Sequence, residues 1–104
     1  MEKDTILVPY DFTEIAEYAV QHAIKISTHL KNRIQLIHIV KSDNQIEEAT
    51  TRLNKEIERL KKEYQIDLDP VVLAGNLFRE ISDYASNNNV SIVIMGTHGI
   101  KGMQ

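Results

Sequence analysis

The residues best placed to do chemistry cluster near the end of the chain. An apolar run there opens into Gly96, Gly99 and Gly102 within "IVIMGTHGIKGMQ". Glycines at this spacing let successive N–H groups converge on an anion with no Cβ in the way, and a helix beginning beyond them would add its dipole. The plain alternative is a turn in which glycine only ends a strand. The run lacks the Lys-Ser or Lys-Thr pair of a phosphate-binding P-loop. Nor is it the G-x-G-x-x-G dinucleotide fingerprint, which would follow the first strand.

Asp11 is the second candidate, placed directly after the first apolar run "TILVPY". A carboxylate there could accept hydrogen bonds from a base or ribose, or it could cap the next helix together with Thr13. Spacing alone slightly favours the cap. Gly75 could allow close backbone approach, although a turn glycine is the simpler reading. Lys41 and Lys101 could meet phosphates or serve as solvated surface charges. Of four histidines, His22 and His29 lie two helical turns apart, too far for shared ligation. His38 falls inside an apolar run, packed or hydrogen-bonded there. His98 sits inside the glycine loop, placed either for a ligand or for solvent. No metal site is expected. No nucleophile stands beside a base: Ser27, Ser82 and Ser86 have no elbow motif around them, and Thr97 has no evident partner. We therefore expect a binding protein and not an enzyme.

These residues need elements to hold them. At 104 residues with 42% hydrophobic and 26% charged content, the chain can build one core and one domain, not two. A net charge of −3 leaves no basic footprint for nucleic acid. With no cysteine, disulfide frameworks, thiolate catalysis and cysteine-based zinc sites are excluded. The runs "ILVPY" and "VSIVIMG" are too short to cross a bilayer, and "MEKDT" does not open a secretory signal. A cytoplasmic protein is the default expectation.

Four β-branched runs read as strands: Thr5–Tyr10, Ile34–Val40, Pro70–Ala74 and Ser91–Gly96. The first and last are almost continuously apolar, as strands covered on both faces are. Three helical stripes lie between them. The first runs through Ile15, Ala19, Ala23, Ile26 and Leu30 behind Thr13. The second runs through Ile46, Ala49, Leu53, Ile57, Leu60 and Tyr64. The third follows Asn76 with Leu77, Phe78, Ile81 and Ala85 predicted to face inward, and ends at the polar run Ser86–Asn89. Alternation of this kind predicts an α/β fold: a doubly wound, Rossmann-like open parallel sheet with helices on both faces. Ligands of such sheets bind beyond the carboxyl ends of the strands, where Asp11, His38–Asp43, Gly75 and Gly96 all fall. A phosphoryl-accepting receiver domain has a similar sheet. It needs an Asp at the end of strand 3, where this chain has Ala74-Gly75, and is set aside.

"ILVPYDFTEIAEYAVQHAIKIS", "LIHIV", "LAGNLFREISDYA" and "VSIVIMGTHG" together resemble the universal stress protein family, in order and over essentially the whole chain. The resemblance implies strand order 3-2-1-4-5 and a cytoplasmic stress or signalling role. In the family's ATP-binding branch a G-2x-G-9x-G-(S/T) pattern holds the phosphates. Gly96 and Gly99 match its first two glycines. Pro9, Tyr10 and Asp11 match the nucleoside-contacting end of strand 1, Ile39 falls where strand 2 backbone meets adenine, and His98 lies within the glycine loop. The implied ligand is ATP or a related adenine nucleotide, with or without Mg²⁺, and not a requirement for folding. The third glycine and its Ser or Thr would fall at positions 109 and 110, beyond Gln104. The expectation is therefore a C-terminally truncated member in order 3-2-1-4, lacking the fifth strand and last helix, with weak nucleotide binding. A homo-oligomer, most simply a dimer, is expected to cover the exposed edge of strand 4. The rival expectation is a dimerising signalling module of the same fold that binds no nucleotide.

Overall fold

The computed structural model describes residues 4–96. The strands are Thr5–Pro9 (β1), Arg33–Val40 (β2), Asp69–Ala74 (β3) and Val90–Val93 (β4). The helices are Glu14–Leu30 (α1), Ile46–Tyr64 (α2) and Leu77–Asn87 (α3), with a short 3-10 turn at Asp43–Gln45 leading into α2. All strand pairs are parallel and the sheet order is β3-β2-β1-β4. This is the doubly wound α/β fold expected from the alternation of elements.

Side chains of β1 alternate between the two faces of the sheet, as strand geometry requires. Ile6, Val8 and Tyr10 join Ile34 and Leu36 of β2 under α1 and α2, with Ala16, Val20, Ala23, Leu53, Ile57 and Leu60. Leu7 and Ile37 point the other way, onto Ile81 of α3 and Val90 of β4. Burial removes β1 from water on both faces, which explains its continuous apolar run. Each fully buried Ile or Leu contributes about 1.5–3 kcal/mol, so the larger α1/α2 layer dominates the stability of the domain.

The α3 layer is thinner than the sequence predicts. Ile81 is buried, but Leu77 and Phe78 are 43% and 68% exposed. Both occupy the first turn of α3, at the loop end of the sheet, and so lie past the side chains they would need to meet. On α1 the buried stripe runs through Ala16, Ala19, Val20, Ala23 and Ser27, and Leu30 is exposed. The expected Ala19 and Ala23 are buried and Ile26 is partly so, with Ala16, Val20 and Ser27 added beside them.

Strand 4 ends earlier than its apolar run suggests, and a proline explains why. The Ile94 N–H donates to the Leu7 carbonyl at 2.9 Å. The next bond in a parallel ladder would carry an N–H from residue 9 to the Ile94 carbonyl, and Pro9 has none. The two strands part at that point. Among the described residues β4 pairs only with β1, so its other side is an edge, and Ser91 and Val93 are exposed.

Local signals at the helix starts behave as predicted. Thr13 caps α1 by accepting from the Ala16 N–H at 3.2 Å, and Asn76 caps α3 by accepting from the Arg79 N–H at 3.0 Å. Asn89, with φ 55°, makes the left-handed turn that leads from α3 into β4. Among the described residues no helix is long and apolar enough to cross a membrane.

Candidate functional site

The carboxyl ends of the four strands surround a cleft of about 490 Å³, within the size range of small-molecule sites. Pro9, Tyr10 and Asp11 form one wall, Ile37–Lys41 another, and Gly75–Leu77 with Met95 and Gly96 close it. The fold opens it there for a topological reason. α1 and α2 carry the chain across one face, whereas α3 returns it along the other to place β4 beside β1. Strand order therefore reverses next to β1, and the loops diverge.

The polar groups offered to the cleft are mostly backbone. The Tyr10 N–H donates to the Ile37 carbonyl at 2.8 Å, which makes Ile37 the last residue of β2 fully engaged with β1. Successive residues of a parallel strand address opposite neighbours, and the Val40 carbonyl accepts from the Gly75 N–H on the β3 side. The N–H and C=O of Ile39 consequently face the β1 side, beyond the last paired residue. Among the described residues neither has a hydrogen-bond partner. A donor and an acceptor on one residue, above an apolar floor, match the edge of a planar heterocycle.

Of the two roles that its position left open, Asp11 takes the capping one, through Thr13. Its Oδ1 accepts from the Thr13 N–H at 3.2 Å and from the Thr13 hydroxyl, which in turn caps α1. Its other oxygen meets no donor among the described residues, and the side chain is exposed at the cleft.

Tyr10 reaches the cleft through its backbone only. Its side chain is 2% exposed and runs beneath α2, where the phenol donates to Glu56. Burial and the Glu56 carboxylate raise the phenol well above the ordinary tyrosine range. Glu56 belongs to a cluster centred on Arg59, which also meets Glu17 of α1 at 2.8 Å and Glu63 at 3.1 Å.

Gly96 ends the described chain against α1. A Cβ there would stand 2.5 Å from both the carbonyl oxygen and Cγ2 of Ile15. Its missing side chain therefore lets the chain beyond β4 approach the first turn of α1, and this brings Gly96 to the cleft. Gly75, at φ 143°, makes the sharp entry to α3. His98 and Gly99 lie outside the described residues.

The sequence matches the universal stress protein family (Usp) over residues 3–104. The chain belongs to that family. Universal stress protein MJ0577 of Methanocaldococcus jannaschii is 28% identical to it over 123 aligned positions, spanning 90% of this chain and 76% of the relative. The solved structure of MJ0577 superposes with a TM-score of 0.66, covering 94% of this chain and 77% of that one. A universal stress protein structure from Burkholderia pseudomallei is 18% identical, with a TM-score of 0.74 over 97% of this chain and 86% of its own. At that identity the likeness speaks for the Usp fold alone.

Within this Usp domain, the cleft residues outside the expected site include Leu77, Ile15 and Ile37. Leu77 had been assigned to the core and instead forms an apolar wall. Its place directly after the Asn76 cap was the available signal, since the first turn of a helix following a parallel strand lies at the ligand end. His22 and His29, on α1, take no part in the cleft. Among the described residues no three His, Asp or Glu side chains gather as a ligand set for a metal.

Proposed function

We propose that this universal stress protein domain binds an adenine nucleotide, ATP or a related one, in a regulatory, stress-response role in the cytoplasm, without turning it over. The observation that carries the reading is the unpaired donor–acceptor pair of Ile39 above an apolar cleft. The base of a nucleoside would lie between Ile39, Pro9 and Leu77. Its exocyclic amine would meet the Ile39 carbonyl, and a ring nitrogen the Ile39 N–H. The open oxygen of Asp11 suits a ribose hydroxyl, and Gly96 opens the glycine motif whose Gly99 and His98 the family resemblance assigns to the phosphates. Any Mg²⁺ would arrive on those phosphates.

Calorimetric titration of the chain with ATP, with and without Mg²⁺, tests the proposal. Saturable binding in the micromolar range is expected, with GTP weaker because its O6 would face the Ile39 carbonyl. Absence of binding by any adenine nucleotide would sink it.

A second reading has its own support. Val93 on β4 is 37% exposed, and among the described residues β4 pairs on one side only, so β4 offers an apolar edge. We infer a homo-oligomer, most simply a dimer, that covers this edge. The partner is protein, not nucleic acid or membrane. A module that signals through this contact alone, with no nucleotide, is the alternative to the first reading.

A further inference from the structure

At Ile39 the β1–β2 ladder stops one bond short, and a side chain stands at the place of that bond. In the register set by Tyr10 N–H to Ile37 C=O, the next bond of the β1–β2 ladder would run from Ile39 N–H to the Tyr10 carbonyl. That bond is not formed. The Tyr10 carbonyl instead lies 2.8 Å from Nδ1 of His38. A carbonyl only accepts, so Nδ1 must carry the proton and donate. His38 thus engages the carbonyl that a continued ladder would offer to Ile39.

The ring is held for this task. Phe12 meets it edge-on, with centroids 5.0 Å apart and planes at 65°. Phe12 itself sits in the left-handed region at φ 67°, and the Arg52 guanidinium of α2 lies 3.9 Å from its ring centroid. A bulky aromatic residue at positive φ is strained, and such strain persists where the surroundings over-determine it. Here the strained turn swings the chain away from β2 immediately after Tyr10. Pro9 has the complementary effect on the other side, where it removes the donor that would have continued pairing with β4.

We propose that His38 is a positioning residue for nucleotide recognition: its Nδ1–H occupies the Tyr10 carbonyl and thereby keeps the Ile39 N–H available to the ligand base. The imidazole does not touch the ligand. It acts through the ladder, blocking one further step of zipping between β1 and β2 that would consume the recognition edge. The inference rests on the nucleotide reading for its purpose, but the state of the Ile39 amide is independent of any ligand.

The experiment compares the wild-type chain with His38→Leu and His38→Asn. Leucine keeps an apolar side chain of similar size and has no donor. The asparagine side-chain amide places an N–H close to the position of Nδ1. The first readout is residue-resolved hydrogen exchange without ligand. In the wild type the Ile39 amide should exchange at least about a hundredfold faster than that of Ile37, since only the latter is locked in the ladder. In His38→Leu it should slow by about tenfold or more as it closes onto the Tyr10 carbonyl, while His38→Asn stays fast. The second readout is ATP titration, where His38→Leu should bind about tenfold more weakly and His38→Asn near the wild type. A uniformly structural role would lower stability without protecting Ile39. A slowly exchanging Ile39 amide in the wild type overturns the inference even if His38→Leu fails to fold, as does an unchanged rate in a folded His38→Leu. If no variant, wild type included, binds ATP while Ile39 behaves as stated, the nucleotide reading fails and the ladder role of His38 stands.

Discussion

Pro9, His38 and Gly96 influence the cleft mainly by preventing or permitting backbone contacts. Pro9 lacks the donor that would hold β4 to β1, and His38 takes the acceptor that would hold β2 to β1. Gly96 lacks the Cβ that would push β4 from α1. The last of these gives a direct test of stability. In Gly96→Ala the new methyl would meet the backbone oxygen of Ile15 at 2.5 Å, a contact that only backbone movement can relieve. Urea unfolding should show a loss of about 1–3 kcal/mol, and the cleft should widen where the two elements are forced apart. An unchanged midpoint would mean that Gly96 is not held against α1 in solution. Of these three residues, Pro9 became a site candidate through the family resemblance, and Gly96 through its place at the end of an apolar run. The reason each matters was not legible, because it depends on which carbonyl or side chain lies across the gap.

The helices show how an element's surface charges become part of its packing. Arg59 lies on the solvent side of α2 yet reaches Glu17 on α1 and Glu56 and Glu63 on its own helix. Tyr64 adds a hydrogen bond to Glu17 at 2.7 Å and accepts one from Gln21 at 2.9 Å. Hydrogen bonds from Arg59, then from Tyr64, hold Glu17 below the ordinary value of 4.5. Arg59 does the same for Glu56, with Tyr10 assisting against the opposing effect of burial. The Tyr64 phenol is pushed up to about 12, chiefly by burial and then by its bond to Glu17. Depressed carboxylates bind protons more readily in the unfolded chain. The stability they contribute is therefore complete above pH 4.5 and is lost as pH falls through their lower folded values. Arg59→Met should destabilise the domain by about 1–2 kcal/mol at pH 7, a modest figure because the guanidinium is half exposed and screened. The difference from wild type should be smaller at pH 3 than at pH 7, measured by urea unfolding at both values. An equal loss at both pH values would assign the effect to packing of the arginine stem. The periodicity of α2 is plain in its sequence, with Ala49, Leu53, Ile57 and Leu60 buried as its spacing requires. Which charged residues of its outer face would meet α1 was not, since that depends on how the two helices lie on the sheet.

The domain as a whole is asymmetric: a thick α1/α2 layer on one face of the sheet, a thin α3 layer on the other, and an apolar edge at β4. Pairing of that edge with a second copy predicts a dimer by light scattering at micromolar concentration, and Val93→Lys on the exposed edge should shift it toward monomer. A wild-type monomer at all concentrations would remove the dimer proposal and leave the nucleotide proposal untouched. Strands, helices, caps and their alternation were legible along the chain, because β-branched runs, a 3.6-residue stripe and capping side chains act over a few neighbours. The family pattern carried the strand order with them. The cleft itself required the fold. Thr13 and Asn76 cap their helices through contacts three residues away, whereas the openness of Ile39 depends on Tyr10, twenty-nine positions earlier, and on the His38 ring between them. Leu77 was read as core because its spacing suits a helix face, but its exposure was set by where α3 begins relative to the ends of β1 and β2. Local interactions write themselves into sequence spacing. The unpaired hydrogen bonds that make a binding site exist only once distant strands have been brought to the same edge and stopped there.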